Sequence, residues 1–184
     1  MRLPLKPHPD SPCAAVATIE VEIARPRSDR LELSYIVTGQ MNDIRMPAAV
    51  AASRGEELWQ HTCFEVFIRA SSGTGYYEFN FSPSTQWAAY RFGSHRRGMS
   101  VPAEVGGFAI DAQGSLDRYT LRTSLELDSL SGLPRTEFWF LGLSVIIEEA
   151  NGQKSYWALA HPPGKADFHH IDCFTHRISL AVQP

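Results

Sequence analysis

Five residues in one short window, Glu65, Glu78, Asn80, Trp87 and Arg91, have side chains suited to holding a polar ligand. Carboxylates and a guanidinium make charge-assisted hydrogen bonds, and an amide both donates and accepts. A tryptophan adds a flat apolar surface against which a ring can lie. The chemistry this set offers is recognition of hydroxyl-bearing molecules, provided that the backbone brings the five side chains to one side.

The window Leu58–Phe92 reads LWQHTCFEVFIRASSGTGYYEFNFSPSTQWAAYRF. Apolar residues alternate in Cys63–Ala70, Gly75–Ser82 and Gln86–Phe92, and short turn-rich links at Ser71–Thr74 and Pro83–Thr85 separate these runs. Period-two alternation with such links predicts a three-stranded antiparallel meander. The first link pairs Arg69 with Tyr76, Phe67 with Glu78 and Glu65 with Asn80, which puts Phe64, Val66, Ile68, Tyr77, Phe79 and Phe81 on a buried face. Continued through the second link, the register places Trp87 opposite Ser82, Ala89 opposite Asn80 and Arg91 opposite Glu78. Tyr90 then joins the core, and all five polar-site residues share the other face.

The 184-residue chain suits one domain, 1–184, with residues 1–12 expected as a Pro-rich flexible tail. Strands are predicted at Ala14–Ala24, Arg30–Thr38, Phe108–Ala112, Arg118–Leu127, Phe138–Glu148, Lys154–Ala160 and Phe174–Val182, with a short helix at Pro47–Arg54. Phe138–Glu148 is apolar on both faces and is expected to be central. The predicted fold is all-β: an antiparallel two-sheet β-sandwich of Ig-like or jelly-roll type, with about ten strands. A net charge of −3 and a pI near 6.1 argue against nucleic acid and anionic membrane as partners. Three scattered cysteines without a CxxC pair, and a start lacking a continuous apolar run, point to a cytoplasmic protein.

A second group, His161, Asp167, His169 and His170, has metal-ligating side chains but no metal-site spacing, so no metal is expected. Trp157, just before these residues, is counted with the ligand-binding group at a site rim, with burial in the core as the alternative. His61 and Cys63 stand two apart without an orienting third group or oxyanion device, so nucleophilic catalysis is not expected. Glu65 and Glu78 are the one carboxylate pair on which a glycoside-processing activity would rest.

The strings LWQHTCFEVFI, YYEFNFSPSTQWAAYRF, RRGM and SYWALAHPPGKADFHH resemble a bacterial branch of the DOMON-like superfamily, related to family-nine carbohydrate-binding modules. The resemblance implies a β-sandwich and a binding module rather than an enzyme. It also implies a saccharide partner, held on one sheet by Glu78, Asn80, Trp87 and Arg91. Haem-binding relatives use a Met and a His, for which Met99 and one of His161, His169 or His170 are the candidates. No cofactor is expected from the residues themselves, with haem or a divalent metal as the alternative. A protein-interaction domain without a small ligand is a third reading.

Overall fold

In a computed structural model, residues 1–179 are described. Eleven strands follow in chain order: β1 (Arg2–Pro7), β2 (Val16–Arg27), β3 (Arg30–Gly39), β4 (Cys63–Ala70), β5 (Tyr76–Phe81), β6 (Trp87–Phe92), β7 (Asp111–Gly114), β8 (Arg118–Glu126), β9 (Trp139–Glu148), β10 (Lys154–Ala158) and β11 (His176–Ile178). The only helical pieces among the described residues are single 3-10 turns, such as Leu58–Gln60 and Ile171–Cys173. The predicted strand Phe174–Val182 is realised at His176–Ile178; its residues 180–182 lie outside the described residues.

All pairings between these strands are antiparallel, and the order is β6-β5-β4-β9-β10-β1-β2-β3-β8-β7, with β11 added beside β9. The strands form one sheet curled into a half-barrel, not two clearly separate sheets. The handover is at β1, whose Arg2–Leu5 pairs with β2 while Lys6–Pro7 pairs with β10. This corrects the expectation of a flexible tail. Leu5 is buried at the seam between the two halves, and the burial of its side chain favours ordering the segment. Each part of β1 has one neighbour, which is why a strand containing Pro4 and Pro7 is tolerated.

The main core lies between the halves. Phe64 of β4 sits 5.4 Å from the Tyr35 ring of β3 and 6.0 Å from the Tyr119 ring of β8. The buried Tyr35 hydroxyl donates to the Glu65 carbonyl at 2.6 Å, tying β3 to β4 across the core. As expected, β9 is central, flanked by β4 and β10 and buried along nearly its whole length.

The predicted helix at Pro47–Arg54 does not form. Its backbone is committed elsewhere: Val50 N–H donates to Ser84, Trp87 N–H to Ser53 and Gly55 N–H to Trp87. The segment thereby covers part of the open edge of β6, and Ser100 covers another part by pairing with Arg91.

The β4–β5 register is the predicted one, with Glu65 opposite Asn80 and Phe67 opposite Glu78. The β5–β6 register is one residue away from expectation. Phe81 faces Trp87, Phe79 faces Ala89, Glu78 faces Tyr90 and Tyr77 faces Arg91. A one-residue slip turns every side chain of a strand to the opposite face. Its local cause is the link: Ser82–Gln86 forms a five-residue turn in which Thr85 is left-handed (φ 70°) and Ser84 bonds back to the Ser82 hydroxyl. Trp87 and Ala89 therefore join the main core, whereas Tyr90 and Phe92 emerge on the side of Glu78.

Candidate functional site

The outer face of β9-β4-β5-β6 is the floor of the candidate site. One row across the strands reads Ser144, Glu65, Asn80, Ala88, and the next reads Gly142, Phe67, Glu78, Tyr90. The small residues in these rows leave space above the two carboxyl groups. Loops rise around them. Leu58–Gln60 contributes Trp59, residues 166–170 contribute Phe168 and His169, and residues 93–99 contribute Arg96 and Met99. The chain after β1 closes the remaining side with His8. The His8 Nε2 lies 2.9 Å from the Gly164 carbonyl, and the His161 Nε2 lies 2.8 Å from the Lys6 carbonyl, joining the two walls. They enclose a cavity of about 700 Å³.

Both carboxyls are removed from water: Glu65 is 3% exposed and Glu78 is 5% exposed. Ser144 Oγ donates to Glu65 at 3.0 Å, and Asn80 Nδ2 donates to Glu78 at 2.8 Å. Burial, reinforced by the charge of Glu78, pushes the Glu65 carboxyl up to about 8. Burial pushes Glu78 up to about 7, against the opposing pull of the Asn80 hydrogen bond. The charge of Glu78 acts on Glu65, so the two titrations are linked.

His169 stands beside this pair. Burial, with help from the Arg96 charge, holds it down to about 4, so it is neutral at physiological pH. The Tyr76 hydroxyl accepts the Arg96 backbone N–H at 3.1 Å and is hydrogen-bonded to His169 Nδ1 at 2.7 Å. The other ring nitrogen, Nε2, faces Glu78 Oε2 at 3.7 Å. With His169 neutral, that contact is not an ion pair. Arg96 adopts a left-handed backbone (φ 54°), and its guanidinium binds Asp167 at 2.8 Å; His95 binds the same carboxylate at 2.7 Å.

Aromatic surface completes the site. Trp59 is 36% exposed at the rim and meets Tyr90 edge-on at 5.9 Å. Tyr156 and Phe92 add further ring surface.

Of the predicted ligand-binding residues, Glu65, Glu78 and Asn80 come together as expected. Trp87 and Arg91 do not join them. Trp87 packs against Phe108 (5.0 Å) on the core side, and Arg91 lies over the Tyr77 ring (5.9 Å) on that same side, because of the β6 slip. Tyr90, expected in the main core, stands opposite Glu78, the place assigned to Arg91. Trp157 is buried in the main core, where its indole donates to Ser155, and it lines no cavity wall.

The metal-ligating candidates are dispersed. His161 bonds the Lys6 carbonyl, Asp167 bridges His95 and Arg96, and His170 faces Asp172 at 3.5 Å. No cluster of three or more His, Cys, Asp or Glu side chains suited to a metal occurs among the described residues. Met99 and His169 do line one cavity, where His169 Nδ1 is hydrogen-bonded to the Tyr76 hydroxyl and Nε2 faces Glu78 at 3.7 Å. His61 turns away from Cys63 to bind Glu148 at 2.7 Å, and burial pushes the Cys63 thiol well above its ordinary range.

Several site residues were not identified from sequence. Ser144 had a visible signal, a lone hydroxyl inside the apolar run Trp139–Ile147. His8 had none, since the segment carrying it reads as a tail.

No protein-family model and no curated protein sequence matches the chain. Its fold does match solved structures. A crystal structure of a provisionally assigned carbohydrate-binding protein from Bacteroides uniformis ATCC 8492 superposes with a TM-score of 0.69 at 15% identity. That match covers 96% of this chain and 84% of the other. A family-nine carbohydrate-binding module from Caldicellulosiruptor kristjanssonii, solved with cellotriose, gives a TM-score of 0.45 at 13% identity, over 80% and 67% of the two chains. The first similarity extends along nearly the whole chain and establishes a shared all-β fold.

Proposed function

We propose that this chain is a non-catalytic binding module of DOMON-like type that holds a saccharide in the cavity above Glu65 and Glu78. One observation carries the reading: a cavity of about 700 Å³ is lined both by aromatic rings, with Trp59 exposed at the rim, and by two buried carboxyl groups. Sugars need that combination, apolar surface for their C–H faces and fixed polar groups for their hydroxyls. The carbohydrate-binding assignment of the Bacteroides structure supports it through the shared fold. The free thiols of Cys13, Cys63 and Cys173 are consistent with a reducing compartment, and so with the cytoplasm.

The test is a ligand-observed NMR screen of mono- and oligosaccharides, followed by titration of the hits. Affinities in the micromolar to millimolar range are expected, about −4 to −8 kcal/mol. Tyr90→Ala and Trp59→Ala should weaken a hit by roughly tenfold or more, as rim aromatics commonly do. Trp87→Ala should leave it within about twofold. The reverse pattern would move the site to the other face, and a screen without any hit would leave the protein-interaction reading in its place.

A second reading follows from the two buried carboxyl groups, since Glu65 and Glu78 would be acid and nucleophile in a glycoside-processing enzyme. Turnover of a glycoside that is lost in both Glu65→Gln and Glu78→Gln would replace the binding-only reading.

A further inference from the structure

The cavity floor is rich in acceptors and poor in donors. Glu65 and Glu78 each receive one hydrogen bond from a neutral group, Ser144 and Asn80 respectively. The second oxygen of each carboxyl has no donor at hydrogen-bond distance among the described residues, and both residues line the cavity. On the same face Asn80 is fully buried, and its Oδ1 has no donor either. The Asn80 amide orientation is set by its Nδ2 bond to Glu78, so the unpaired atom is the acceptor. A buried acceptor without a donor, such as Asn80 Oδ1, is costly to the fold on its own.

The surrounding charges do not satisfy them. Arg96, from the turn after β6, is held by Asp167, and His169 is neutral. Lys154 of β10 and Lys165 of the opposite wall face the cavity, but neither reaches ion-pair distance of Glu65 or Glu78. Asp10 and His8 close the side next to β1 and bring no fixed positive charge. Behind and beside the pair are the Cys63 thiol and the Tyr35 and Tyr90 phenols, all raised by burial and therefore neutral.

A sugar hydroxyl brings acceptor lone pairs with its single donor, whereas an ammonium brings three donors, no acceptor and a compensating charge. We propose that the ligand of this cavity carries a protonated amine: an amino sugar with a free ammonium group, seated on Glu65 and Glu78. The inference rests on the saccharide reading above and narrows it. Binding sets charge-assisted N–H···O bonds against two ionised carboxylates, so any proton that the pair holds in the free protein leaves to solvent as the ammonium enters.

The experiment is calorimetric titration of the intact chain at pH 6.5 with three disaccharides of one skeleton: β-1,4-linked glucosamine, its N,N′-diacetyl form and cellobiose. The free-amine sugar should bind at least about tenfold tighter than either neutral one. Its enthalpy should vary with the ionisation heat of the buffer, with the sign of proton release. Glu65→Gln and Glu78→Gln should each erase the preference for the free amine over cellobiose, with thermal unfolding used to confirm that each variant is folded. Should cellobiose or the diacetyl sugar bind as tightly as the free amine, or binding release no proton, the ammonium inference is wrong and the saccharide site stands. If none of the three binds and the wider screen is also blank, both readings fall. The comparison of ligands on the unmodified chain is decisive even if a variant does not fold.

Discussion

The two faces of the β4–β6 meander are both buried, yet they are built differently. Toward the other half of the sheet, Phe64, Val66, Ile68, Tyr77, Phe79 and Phe81 pack with Trp87 and Ala89 into a continuous apolar core. On the outer face Phe67, Tyr90 and Phe92 are interleaved with Glu65, Glu78 and Asn80, and loops rather than strands cover them. The first face is dry because nothing in it needs water. The second is excluded from solvent while carrying groups that need partners, and the chain supplies only some of them. Burial alone therefore does not separate core from site in this protein; incomplete hydrogen bonding does.

The largest test of that contrast is Phe79→Ala. Truncating a fully buried ring should destabilise the fold by about 3–5 kcal/mol in chemical denaturation, leaving ligand affinity of the folded fraction unchanged. A loss below ~1 kcal/mol would show the inner face to be loosely packed.

Next in size is pH dependence, which should come from the outer face. The folded-state values of Glu65 and Glu78, about 8 and about 7, lie above the ordinary 4.5, so the folded state binds more protons there and stability falls as pH rises. The folded-state value of His169, about 4, lies below the ordinary 6.5, so between those values stability rises with pH. The slopes oppose each other below pH 6.5, and only the carboxyl slope remains above it. Unfolding free energy should drop between roughly pH 6.5 and 8.5, by an amount on the order of a few kcal/mol. Glu65→Gln should remove most of that drop and be more stable than the parent at the alkaline end. A flat parent profile would mean that the carboxyls are better solvated than the cavity geometry implies.

Trp87→Ala separates the faces at smaller amplitude. It should lower stability by ~2 kcal/mol through lost contact with Phe108, with affinity for any saccharide hit unchanged. Smallest is Tyr76→Phe. Removing one hydroxyl should lower stability by about 1 kcal/mol. It should also shift the tautomer balance of His169, read from imidazole ¹⁵N spectra. An unchanged tautomer would place its control with Glu78 instead.

Much of the fold was legible because strands were read from alternation, a local property. The β4–β5 register followed from a four-residue link and two matching apolar faces, and it brought Glu65, Glu78 and Asn80 together correctly. The same reasoning failed one link later. Residues Trp87–Phe92 are largely apolar on both sides, and both sides are covered, so hydrophobic pattern did not discriminate between registers; Thr85 in a left-handed turn did. Arg91 had been placed outward by that continued register, but at the sheet edge its charged head is accommodated on the core side, lying over Tyr77.

The sequence by itself determined an all-β chain, a central β9 and a carboxyl–carboxyl–amide group on one face of a hairpin, because each follows from side-chain period and short links. Only the tertiary structure decided that Tyr90 and not Trp87 stands beside that group. It also decided that Ser144 reaches Glu65 from 79 residues away and that the segment after β1 closes the cavity wall. These are contacts between distant parts of the chain. Alternation assigns a side chain to one face of its own strand, and what lies opposite that face is set by how the whole sheet curls.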